Sequence, residues 1–276
     1  MGTAKFNSEQ VKAFYLSVHK TALSKDPHEE TAPVINPTGS KLLNRFTDYA
    51  HRLGMRRGFQ YLTRRRGSLN GAKVLDLGCG RGRWTKEYTL RGARVTGADI
   101  SREALQWLSG RFPGNNFACA DIARLPFASD SFDVINSVTV LQHMQDDLQR
   151  AALQECFRLL RPGGHLVLLE NVADFEYLLV HPHRRPEWIR MAEDAGLRLR
   201  LALGSNYEIL VRTAVRIRNW RGQRGTAHPI DNGPATARPN SLPVNAIALA
   251  SFPVEYLCHK LPLFEPSHAL MIFERV

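Results

Sequence analysis

Apolar residues follow two rhythms along this chain. Short apolar runs appear at Lys73 to Leu77, Arg94 to Ala98, Asn116 to Ala120, Phe132 to Val138 and His165 to Glu170. Their length and texture predict strands buried on both faces. Segments with helical spacing lie between them, at Trp84 to Leu90, Arg102 to Ser109 and Asp146 to Leu160. Strand and helix in alternation predict parallel strands joined by right-handed crossovers, an α/β chain with a doubly wound sheet. Pro162, Gly163 and Gly164 are expected to stop the third of these helices, because proline cannot continue a helix and glycine supplies a left-handed turn. A helix at Pro186 to Ala195, a strand at Leu197 to Leu203, a helix at Tyr207 to Trp220, a loop at Gly222 to Pro243, a short helix at Val254 to Lys260 and a strand at Ala269 to Phe273 follow. The first 66 residues read differently, as two helices, Glu9 to Leu23 and Lys41 to Arg66, joined by the Pro- and Gly-containing stretch Asp26 to Ser40. The expected division is a helical segment 1–70, a core 71–206, a basic insertion 207–252 and a closing helix and strand 253–276.

Charge changes this picture by its placement. The formal net charge is +11 over 276 residues. Residues 1–70 hold 12 Lys/Arg against 5 Asp/Glu and residues 184–238 hold 11 against 5, whereas residues 71–183 hold 12 against 13. The basic regions are therefore additions to a neutral core. With 43% hydrophobic and 23% charged residues, the chain is globular. No apolar stretch approaches the roughly 18 residues of a membrane span, and Met1 to Gln10 lacks the blocks of a signal peptide. The four cysteines form no C-x-x-C pair, which argues against a disulfide framework or zinc knuckle and for a reducing, cytoplasmic setting.

The sharpest chemical feature is Val74-Leu75-Asp76-Leu77-Gly78-Cys79-Gly80-Arg81-Gly82, an apolar strand emptying into three alternating glycines. Such a turn brings main-chain N–H groups up to a ligand at the carboxyl end of the first strand. Arg83 stands where a dinucleotide fingerprint has its third glycine, and no G-K-[ST] follows, so a ligand without a pyrophosphate is favoured. Asp99 and Asp121 follow the second and third strands, the first at the spacing of an acid that accepts from ribose hydroxyls. With Ile100 and Ile122 beside them, they outline a nucleoside-shaped site.

Asp76 to Gly82, Asp99-Ile100, Asp121-Ile122, Leu125-Pro126-Phe127, Ser131-Phe132-Asp133, Val140-Leu141-Gln142-His143 and Leu160 to Gly164 together resemble class I S-adenosylmethionine-dependent methyltransferases of the small-molecule type-11 group. The resemblance is strong over Lys73 to Glu170 and weak beyond. It implies a Rossmann-like, mostly parallel seven-stranded sheet with an antiparallel last strand, and S-adenosylmethionine as cofactor, leaving as S-adenosylhomocysteine, with no metal. By position it implies that Asp76, Gly78, Cys79, Gly80 and Gly82 form the motif at the methionine moiety. Asp99 would hold the ribose, Ile100 would lie against adenine, Asp121 and Ile122 at the adenine edge, and Ser137 and Val138 beneath the sulfonium. It further implies that the N-terminal helices and the Arg-rich insertion form a lid.

Methyl transfer from a sulfonium is an in-line displacement, so alignment matters most. An oxygen or nitrogen acceptor must still lose a proton, and His143 beyond the fourth strand is the expected base, ahead of His181, His183, Glu170 and His19. Substrate candidates are Arg45, Tyr49, His181, Arg212 and Arg216. Arginines in both basic regions fit an acidic metabolite and fit solvated helix faces equally well. A nucleic-acid methyltransferase is the rival reading, given pI 9.9. It is disfavoured because Asn136-Ser137-Val138-Thr139 is no N-P-P-[YF] tetrad. Membrane-surface action on a lipid-linked substrate through Tyr207 to Arg224 is a second rival, and a silent cofactor-binding module a third. The acceptor atom and the oligomeric state are not legible.

Overall fold

A computed structural model describes residues 8–25, 41–173, 180–210, 213, 242–261 and 264–276. Two helices, α1 (Ser8–Lys25) and α2 (Lys41–Arg66), precede β1 (Lys73–Leu77), α3 (Arg83–Thr89), β2 (Arg94–Asp99), α4 (Arg102–Arg111), β3 (Asn116–Cys119) and β4 (Phe132–Val138). A 3-10 turn (Leu141–His143) leads to α5 (Asp146–Leu159), β5 (Leu160–Asn171), α6 (Arg185–Asp194), β6 (Leu197–Ser205), α7 (Leu242–Lys260) and β7 (His268–Arg275). The sheet order is β3-β2-β1-β4-β5-β7-β6. All pairs are parallel except those of β7, which is antiparallel to β5 and β6.

The alternation of side chains along each strand builds two cores. Leu75, Leu77, Ile135, Leu166, Leu168, Met271 and Phe273 face one side, where Leu153, Cys156, Leu159 and Trp188 of α5 and α6 cover them. Val74, Val95, Val134, Val167, Leu270 and Ile272 face the other, under Met55, Phe59 and Leu62 of α2 and Trp84 and Tyr88 of α3. Gly54 lets α2 lie close, since a Cβ there would come within 2.6 Å of Ser205 Oγ at the end of β6.

Several boundaries move. β2 reaches Asp99 and β7 begins at His268, so both chemical residues sit within strands rather than beside them. The third strand stops at Cys119. Pro162, Gly163 and Gly164 follow a helix that ends at Leu159, but they belong to β5, whose pairing with β4 jumps from Phe132–Leu160 to Val134–His165. The bulge takes up the left-handed Gly163, φ 75°. α7 begins at Leu242, not Val254, and carries Pro253 inside it; Leu242 and Pro243 are thus helical, while 222–241 lie outside the described residues. Most of the expected Tyr207 to Trp220 helix lies outside them too.

Candidate active site

The parallel strands reverse their order between β1 and β4, and the crevice at their carboxyl ends is the expected ligand site of such a sheet. Gly78, Gly80 and Gly82 have φ of 58°, 51° and 79°, conformations that L side chains rarely adopt. A Cβ on Gly78 would lie 2.6 Å from Val140. Asp99 Oδ2 accepts from Gly80 N at 2.8 Å, and its Oδ1 accepts from Ser101 N at 2.9 Å. Each carboxylate oxygen keeps a further lone pair for a ligand hydroxyl.

Asp76 acts from below. It accepts from Thr85 Oγ1 at 2.7 Å and from Asn136 Nδ2 at 2.8 Å, and Tyr88 donates on to Asn136 Oδ1. Burial raises its pKa to about 6 against these donors. The carboxyl therefore locks β1, β4 and α3 together and shapes the turn. Cys79 turns its thiol under Gly97, where any Cβ would sit 2.8 Å from Sγ, and packs with Leu105 and Leu108. Its main chain alone is left for a ligand.

Beyond β3 and β4 the helix α1 closes over the crevice. Lys12 Nζ donates to Asp121 Oδ2 at 2.8 Å. Ile100 is half-buried and Ile122 buried. Ser137 donates to Glu170 Oε1 at 3.3 Å, and Val138 belongs to the core under α3. Thr139 follows with φ 55°, an outlier for a β-branched residue. Glu170 then accepts from the main-chain N–H groups of Val140, Leu141 and Gln142 at 3.1–3.2 Å. Burial raises its pKa to about 8 in spite of them. This clamp fixes the 3-10 turn whose last residue is His143. The Tyr15 hydroxyl lies 3.1 Å from His143 Nδ1 and 2.9 Å from Nε2, and burial raises its pKa, so it remains a donor.

A second wall faces this turn. His268, opening β7, lies opposite Asn171 and Ser205, the ends of β5 and β6. Its Nδ1 lies 3.2 Å from Asn206 Nδ2 and 3.1 Å from Ser267 Oγ. Its pKa falls to about 3, by burial first and by nearby His143 second. His51 of α2 packs edge-on against it, ring centroids 5.3 Å apart. Arg83 Nη1 lies 3.4 Å from His51 Nδ1 and 3.3 Å from Asp48. Burial and then Arg83 hold His51 neutral, and its buried Nε2 has no hydrogen-bond partner.

The remaining sequence candidates scatter. Arg45 is exposed. Tyr49 stacks on Phe252 at 5.0 Å, two residues and so roughly 200° around α2 from His51. His181 is buried, its N–H donating to Gln142 O at 2.6 Å. His183 sits between Asp146 and Glu187 and packs edge-on against Trp188 of α6. Arg212 and Arg216 lie outside the described residues, and so does the side chain of His19. Among the described residues no group of three or more His, Cys, Asp or Glu is arranged to hold a metal ion, and no helix is long and apolar enough to cross a membrane. Lys12, Tyr15, His51 and His268 gave no periodic or motif signal. Only the position of His268 beside the last apolar run hinted at a strand end.

Comparison with known proteins bears on the fold and the family. Residues 75–168 match the family model described as a methyltransferase domain. A demethylmenaquinone methyltransferase of Corynebacterium urealyticum is 32% identical over 76% of this chain and 87% of its own length. The methyltransferase GfsG of Streptomyces halstedii is 40% identical over 37% of this chain, which spans only 38% of that relative. Among solved structures, the cyclase SpnF has TM-score 0.60, 17% identity and coverage of 99% of this chain and 97% of that one. A Burkholderia thailandensis 1,6-didemethyltoxoflavin-N1-methyltransferase, solved with its substrate and S-adenosylhomocysteine, has TM-score 0.51, 19% identity and coverage of 74% and 85%. The chain belongs to the S-adenosylmethionine-dependent methyltransferase family.

Proposed function

We propose that this chain methylates an oxygen or nitrogen atom of a small metabolite held between His143 on one side and His268 and His51 on the other, in the place that the Tyr15 hydroxyl occupies. S-Adenosylmethionine supplies the electrophilic methyl group; the solved relative's S-adenosylhomocysteine supports it as the cofactor. The site's own chemistry fits that group. Asp99, already pinned by two N–H groups, presents lone pairs to ribose hydroxyls, and the positive-φ glycines open the main chain to the methionine portion. Ile100 and Ile122 offer apolar faces to the base. Asp121 faces its exocyclic amine once Lys12 yields. Ser137 and Val138 end the strand beneath the reacting carbon.

The single observation that carries the reading is the Glu170 clamp, which fixes the turn bearing His143 beside β4. The Tyr15 oxygen marks a point within hydrogen-bonding reach of either His143 nitrogen. An acceptor O–H or N–H placed there passes its proton to His143 as the bond to carbon forms. His268 and His51 present neutral N–H donors that orient the rest of the acceptor. Uncharged donors and ring faces favour an aromatic hydroxyl or ring nitrogen over an acidic metabolite, one of the two readings that the arginines fit equally well. The test is a mass-spectrometric screen of phenols, heteroaromatic amines and carboxylates with labelled cofactor. Methylation confined to carboxylates would overturn the acceptor class.

A further inference from the structure

Four arginines meet at the opposite, amino end of the sheet. Arg65 and Arg66 close α2, Arg161 opens β5 and Arg200 lies in β6. A recess of about 380 Å³ is lined by Arg65, Arg66, Arg161, Gly163, His165 and Glu274. Two carboxylates answer them. Asp133 pairs with Arg161 and with Arg66 at 3.4 Å. Glu274 takes Arg200 at 2.6 Å and stands 3.9 Å from Arg65, beyond hydrogen-bonding reach. Two positive charges are thus left over. Beside them His165 is only 3% exposed, yet neither ring nitrogen has a hydrogen-bond partner, and buried Arg66 Nε also lacks one. Buried donors left unmade are costly, on the order of 1–3 kcal/mol each. An ion-pair network that served only to pin α2 to the sheet would have no reason to keep both the surplus charge and the unmade bonds. At Gly163 a Cβ would meet nothing within 4 Å, so the recess is open on that side.

We infer that this recess is a binding site for a small tetrahedral oxyanion, inorganic phosphate or a phosphomonoester, separate from the methyl-transfer crevice. A phosphate's oxygens suit guanidinium forks, and the recess places the unpartnered His165 ring nitrogens and Arg66 Nε beside the free arginine charge. His165, which lines the recess, lies opposite Val134 of β4. Four residues at about 3.3 Å each separate Val134 from Val138 at the active site by roughly 13 Å, so one small ligand does not fill both.

The experiment is calorimetric titration of the full chain with inorganic phosphate at low ionic strength, for wild type, Arg65→Ala, Arg161→Ala and Arg124→Ala. Arg65 and Arg161 are half-exposed, so both variants fold; Arg124 is an exposed arginine beyond β3. Expected are one phosphate per chain, at least about fivefold weaker binding in Arg65→Ala and Arg161→Ala, wild-type binding in Arg124→Ala, and a shift of the His165 ring resonances on adding phosphate. No heat at millimolar phosphate, or an equal loss in Arg124→Ala, overturns the site. Sedimentation with anionic vesicles in the absence of phosphate binding would instead mark a membrane-facing surface and likewise overturn it.

Discussion

In the proposed site Asp99 holds the cofactor and His143 takes the proton, and substitutions separate the two roles. Asp99→Ala removes both the proposed ribose contact and the acceptor that pins Gly80 N and Ser101 N, so S-adenosylhomocysteine affinity measured by calorimetry falls at least about tenfold. His143→Ala leaves that affinity unchanged and lowers kcat about 10²–10⁴-fold, the range of a general base. Tyr15→Phe removes only the hydroxyl that occupies the acceptor's place, so kcat stays within about threefold of wild type and KM does not rise. Asp99 and His143 were legible in the chain as candidates, because a strand end and a glycine turn are local patterns. Tyr15, Lys12, His51 and His268 were not. Tyr15 meets His143 across 128 positions and Lys12 meets Asp121 across 109, and no periodicity reports a contact of that span.

At the scale of elements, Glu170 joins β5 to the 3-10 turn. Glu170→Gln places an amide N–H₂ among three main-chain donors. The turn loosens, kcat falls, and stability in urea drops by about 1–3 kcal/mol, while cofactor affinity changes little. A fall in affinity as large as the fall in kcat would show instead that the whole crevice collapses. The alternation of strands and helices was readable over the core because buried parallel strands are continuous apolar runs. What failed was local. The β5 bulge hides the first five strand residues, Leu160 to Gly164, behind the stop signals Pro162 and Gly163. Pro253 inside α7 is a stop signal that tertiary packing overrides, with Phe252 against Phe46 and Tyr49 and Glu255 accepting from Tyr207 N.

For the molecule as a whole, buried titratable groups give stability two opposing pH dependences. Burial pushes the pKa of His268 down to about 3, below the 6.5 of a free histidine. Its contribution is present above pH 6.5 and is lost as pH falls toward 3. Glu170, raised from 4.5 to about 8, contributes fully below pH 4.5, and that contribution is lost as pH rises through 8. Denaturation curves of His268→Asn should therefore fall less steeply than wild type between pH 6.5 and 4, by up to about 1.4 kcal/mol per pH unit. Equal slopes would mean that His268 is not held neutral.

The central claim is that the crevice between β1 and β4, edged by Asp99, holds an adenosyl sulfonium. Calorimetric titration of the wild-type chain with S-adenosylhomocysteine tests it most directly. One molecule bound per chain, with the heat lost in Asp99→Ala, is the predicted result. No heat with that compound, or heat undiminished in Asp99→Ala, would contradict it.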